Sequence, residues 1–112
     1  MKTLAAIPSP SHHEEQRAHF ILNRLRAAGA EQAYIDGAIN VVLLFGCDGH
    51  SDIHVFMSHI DVVFPDTEPF PVYEKEGKLY APGVGDDTAN VAALMMCAKY
   101  LTGTQGTCAD RL

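Results

Sequence analysis

An α/β fold, with a mixed β-sheet and flanking helices, is predicted by three features of this 112-residue sequence. A helix-period apolar stripe lies near the start, short alternating β-rich runs fill the middle, and a second apolar helix pattern follows a Gly-Asp loop. The chain is long enough for one domain with a real core. Its balance, 47% hydrophobic and 20% charged, is that of a folded globular chain and excludes disorder along its whole length.

The first helix is expected after Ser11-His12-His13-Glu14, which reads as a capping box in which Ser11 and Glu14 satisfy each other's amides. Ala18, Ile21, Leu22, Leu25 and Ala28 then fall on one face, and Gly29 supplies a left-handed stop. Ala33-Tyr34-Ile35, an Asp36-Gly37 turn and the β-rich run 39–45 predict a hairpin. A polar turn covers 46–51. Residues 52–58 alternate as a strand should, with Ile53, Val55 and Met57 on one face and His54 on the other.

Pro65, Pro69 and Pro71 keep the next segment out of helix and central strand alike. A second hairpin is expected from 72–74 and 78–80 around Lys75-Glu76-Gly77. Gly83-Val84-Gly85-Asp86-Asp87 is a loop, both glycines giving it freedom to turn, and 88–101 is a helix that is apolar nearly all round. Such a helix belongs between layers and calls for cover on several sides. The organisation expected is a domain segment over 1–101 and an irregular Thr/Gly-rich tail over 102–112.

Composition bounds the function. A formal net charge of -6, with eight scattered Lys and Arg, supplies no basic stripe for nucleic acid. No segment approaches the roughly 20 apolar residues of a membrane helix, and the first residues are too short an apolar run for a secretory signal. Cys47, Cys97 and Cys108 form no Cys-x-x-Cys pair, which predicts reduced, mostly buried thiols and a cytoplasmic location.

Two constellations could carry chemistry. In His59-Ile60-Asp61 the two polar side chains project to the same side, so a carboxylate can hold one ring nitrogen while the other binds a metal. Read alone, the pair favours a polar loop that happens to start with His, and metal binding is the minority reading. Asp86-Asp87 precedes a helix, where Asp serves as a cap, and the preceding glycines also allow a carboxylate to approach an ion. Imidazole with carboxylate suits zinc, with cobalt or manganese as substitutes. A phosphate role for Gly83-Val84-Gly85 is disfavoured, because its spacing fits neither Gly-rich fingerprint and two carboxylates would repel the anion. His12, His13, His19, His50 and His54 read as ordinary solvated residues, and Glu14-Glu15 as helix-start carboxylates.

The ordered series IPSPSHHEE, DGAINVVLLF, SHIDVVFP, PF and GKLYAPGVGDDTANVAAL resembles the start of the zinc-dependent aminoacylase, carboxypeptidase and peptidase superfamily. That superfamily includes acetylornithine deacetylases, succinyl-diaminopimelate desuccinylases and glutamate carboxypeptidases. The resemblance implies a partial zinc-exopeptidase catalytic domain with two zinc ions in the complete enzyme. It makes His59 a zinc ligand, Asp61 the catalytic carboxylate that orients His59, Asp86 a bridging ligand and Asp87 its non-ligand neighbour. It further implies a cis peptide bond at Asp86–Asp87.

The superfamily often has Lys where this chain has Thr88, and Arg where it has Ala81-Pro82. The implied activity is hydrolysis of a peptide or N-acyl amino acid by a zinc-activated water, with a glutamate as general base. Beyond Asp87 the only acidic residue is Asp110, and no His follows His59, so the chain reads as a fragment with an incomplete ligand set. The competing expectation is a non-catalytic structural or interaction remnant of the same fold. The poorly covered apolar helix predicts a homo-oligomer.

Overall fold

A computed structural model of the chain describes residues 1–46, 49 and 52–103. Helix α1 spans Lys2–Ala6 and helix α2 spans Glu15–Ala27. Strands β1 (Tyr34–Ile35) and β2 (Val41–Val42) form one antiparallel ladder, and β3 (Tyr73–Lys75) and β4 (Lys78–Tyr80) form another. An irregular turn over Val84–Thr88 leads into helix α3, Ala89–Gly103. The α/β class stands, with its strands divided between two small antiparallel ladders and one isolated parallel bridge, Pro10 to Val62.

Helix α2 follows its predicted stripe. Ala18, Ile21, Leu22 and Leu25 are buried, while Arg24 and Arg26 occupy the last turn, where cations suit the helix dipole. The helix ends in a Schellman arrangement. Gly29 takes φ +105, its amide donates to the Arg26 carbonyl, and the Ala30 amide donates to the Leu25 carbonyl. The core joins this stripe to Leu4, Ala30, Ala33 and Val91, with Ile35, Val41, Leu43, Ile60 and Met95 packed against it. Each large aliphatic side chain so buried contributes about 1.5–3 kcal/mol.

Both predicted hairpins form. In the first, the Asp36 carboxylate accepts from the amides of Ala38 and Asn40 and from the Asn40 side chain, tying the turn to its own strand end. In the second, Glu76 and Gly77 both have positive φ, as a tight two-residue turn requires, and Tyr73 stacks on Tyr80 with ring centroids 5.0 Å apart.

Four expectations are corrected. The capping box does not form: the Ser11 hydroxyl donates to Asp61, Glu14 accepts from the His12 amide, and α2 begins only at Glu15. The run 52–58 forms no regular element and pairs with no strand among the described residues. Ile53, Val55 and Met57 are exposed there, as is Phe56. Alternation specifies a strand only where a neighbour supplies ladder bonds and cover. Cys97 is exposed rather than buried. Helix α3 runs two residues past Leu101, to Gly103, and buries little beyond Val91, leaving Met96 and Tyr100 exposed. Cys47, Cys108, His50 and the expected tail from 104 onward lie outside the described residues. Among those described, no helix is long and apolar enough to cross a membrane.

Candidate metal centre

The backbone bridge at Val62 sets the first half of the site. The Val62 amide donates to the Ser9 carbonyl at 2.8 Å, anchoring the segment that carries His59 and Asp61 to the N-terminal region. Gly83 brings up the second half. It has φ +69, and a Cβ at this position would lie 2.5 Å from Cγ1 of Val62, so only glycine lets the loop pass this close. Gly85 is different: a Cβ there would meet nothing within 4 Å, so the expectation that both glycines shape the turn holds for Gly83 alone. The Asp86–Asp87 peptide bond is cis.

These constraints bring the predicted residues together. Nε2 of His59 lies 2.9 Å from Oδ1 of Asp86, and Nδ1 lies 3.1 Å from Oδ1 of Asp61. The other Asp61 oxygen accepts from the Ser11 hydroxyl. Asp87 turns elsewhere, accepting from the Ser58 hydroxyl, the His59 amide and the Asn90 side chain. Asp86 therefore faces the imidazole, and Asp87 ties the loop to the segment before His59.

The electrostatics follow the contacts. The Asp86 hydrogen bond, reinforced by Asp61, raises the His59 pKa above its ordinary value, against a smaller opposing effect of burial. The Ser11 hydroxyl holds Asp61 below the usual carboxylate range, and Ser58 followed by Asn90 does the same for Asp87. Both ring nitrogens thus face carboxylates, which favours the protonated imidazole relative to a free one.

The donor set suits a metal, but only in part. Two ligand atoms on a tetrahedral zinc, each about 2.0–2.2 Å from it, stand roughly 3.3 Å apart, so a small opening of the 2.9 Å contact would admit an ion. The Asp61–His59 pairing is the carboxylate–imidazole arrangement that fixes the tautomer of a metal-binding histidine. Among the described residues, however, no group of three or more His, Cys, Asp or Glu side chains gathers to hold an ion.

Comparison with known proteins finds similarity over the segment that carries these residues. Residues 55–109, which include His59, Asp61 and the Asp86-Asp87 loop, match the model of peptidase family M20/M25/M40. Over that stretch, about half of its length, the chain is similar to this peptidase family. A succinyl-diaminopimelate desuccinylase of Nautilia profundicola is 30% identical over 110 residues, covering 95% of this chain and 30% of the relative. The chain thus spans under a third of the length of that relative.

Sequence reasoning missed five residues around this site. Ser11, Ser58 and Asn90 fix the two outer carboxylates, and Arg17 donates to Thr88 beside the loop. Locally, Ser11 reads as a helix cap, and a lone Arg on a helix face gives no signal of burial. Burial pulls the Arg17 pKa below its ordinary value.

Proposed function

We propose that this chain carries one half of a two-zinc site in a metal-dependent hydrolase that cleaves peptide or N-acyl amide bonds. His59 and Asp86 are the zinc ligands, and Asp61 is the carboxylate that orients His59. The observation that carries the reading is the placement of the His59 ring between Asp61 and Asp86.

Bound zinc supplies a Lewis acid and lowers the pKa of its water toward neutrality. The chain's own residues prepare the ligands. Asp61 receives the Nδ1 proton of His59, which leaves the Nε2 lone pair for the metal, and Ser11 keeps Asp61 in place. Asp87, held by Ser58 and Asn90, keeps the loop turned so that Asp86 rather than Asp87 faces the ring. Cobalt or manganese would serve the same oxygen and nitrogen donors.

The substrate class is a small peptide or an N-acyl amino acid. The family match supports amide hydrolysis, and the similar desuccinylase is named for removing a succinyl group from an amino acid. We place the protein in the cytoplasm, where Cys97 stays reduced, and expect the exposed apolar face of α3 to associate with further copies of the chain.

The second reading, a remnant of the fold kept for structure or interaction, draws on the absence of a third donor among the described residues. Zinc titration separates the two. The hydrolase reading requires uptake that His59→Ala removes, and uptake no greater in the native chain than in that variant would favour the remnant.

A further inference from the structure

We propose that Arg17 is a positioning residue for the His59–Asp86 pair, its guanidinium clamping the backbone beside His59 to the helix start behind Asp86. This rests on the zinc-site reading for its purpose, though not for its geometry.

Arg17 is 1% exposed, and no carboxylate lies within ion-pair distance of it among the described residues. A buried cation without a counter-ion is costly unless its N–H groups are satisfied. Here they are spread over three separate stretches of chain. Nη1 donates to the Thr88 hydroxyl at 2.9 Å and to the Ile60 carbonyl at 3.4 Å. Nε donates to the Ile7 carbonyl at 2.8 Å, and Nη2 to the Ala5 carbonyl at 3.4 Å.

Two of these acceptors sit against the site. Ile60 is the residue between His59 and Asp61, and Thr88 follows Asp87. One nitrogen therefore spans the two segments whose separation sets the 2.9 Å contact between His59 and Asp86. The rigid planar fork of Arg suits several fixed acceptors at once, whereas a Lys ammonium presents one point. Thr88 is itself 1% exposed, so its hydroxyl has no solvent to turn to if the guanidinium is withdrawn.

The test uses the whole chain with Thr88→Val, which keeps shape but removes the acceptor, Thr88→Ser, which restores it, and Arg17→Lys. Amide hydrogen exchange is read at His59 and Asp86, with Ala30 and Asp36 as references remote from the clamp. Thr88→Val and Arg17→Lys should lower protection at the two site amides about tenfold, leave the references within about twofold, and weaken zinc binding. Thr88→Ser should restore both. Equal loss at site and reference amides, or no rescue by Ser, would overturn the proposal. Should Arg17→Lys fail to fold, the Thr88 pair still decides it. If the native chain takes up no zinc, the zinc-site reading fails while the exchange result still decides whether the clamp exists.

Discussion

Nε2 of His59 lies 2.9 Å from Oδ1 of Asp86, across 27 residues of sequence, because Gly83 lets the second loop pass against Val62. The glycine is thus as much a part of the site as the side chains it brings together. Gly83→Ala would combine a left-handed φ with a Cβ 2.5 Å from a buried valine, and should cost about 2–4 kcal/mol. Gly85→Ala meets no neighbour and should stay within about 0.5 kcal/mol of the native chain. Thermal or urea unfolding of both variants checks the contrast, and equal losses would show that Val62 does not confine the loop.

Much of this arrangement was legible beforehand, and the reasons differ by element. The stripe of α2 and its Gly29 stop are local patterns, so they were readable. His59, Asp61 and Asp86 were readable as a series of motifs, and their proximity depends on contacts that no single motif contains. Residues 52–58 show the reverse case. Their alternation is real, yet a strand is made by its neighbour, and none of the described residues provides one. The Ser11 hydroxyl, expected to accept from a local helix-end amide, instead donates to the distant Asp61 carboxylate.

The first hairpin should report acid sensitivity. Asp36 is held below its ordinary pKa first by the Asn40 side chain, then by the amides of Asn40 and Ala38. A depressed carboxylate contributes stability that is present above its unfolded pKa, about 3.9, and is lost as pH falls through the folded value. The difference in melting temperature between the native chain and Asp36→Asn should therefore be constant near neutrality and shrink below about pH 4. A difference unchanged down to strong acid would contradict the assignment.

Exposed apolar surface should drive association. Val55, Phe56 and Met57 are 71, 79 and 83% exposed, and Met96 and Tyr100 on α3 are 68 and 67% exposed. Patches above a few hundred Å² promote association or dye binding. Sedimentation should find oligomers whose population falls in Phe56→Glu. A strictly monomeric native chain that binds no hydrophobic dye would count against this surface.

Catalysis by these 112 residues should be absent. The glutamate base that the superfamily resemblance implies has no counterpart after Asp87, where Asp110 is the sole acidic residue. General-base loss removes about 10²–10⁴ in rate, and an incomplete ligand set removes more. With zinc added, N-acetyl amino acids and dipeptides should be hydrolysed no faster than in buffer. Turnover abolished by His59→Ala would show that the chain holds a complete site.

The central claim is that His59 and Asp86 form a metal half-site while Asp87 serves only to hold the loop. Cobalt titration followed by visible absorption tests it most directly, because the spectrum reports the ligands themselves. The native chain and Asp87→Asn should each bind one cobalt ion with a histidine-ligand spectrum, and His59→Ala and Asp86→Asn should lose it. Equal binding by all four chains, or none by the native chain, would contradict the account.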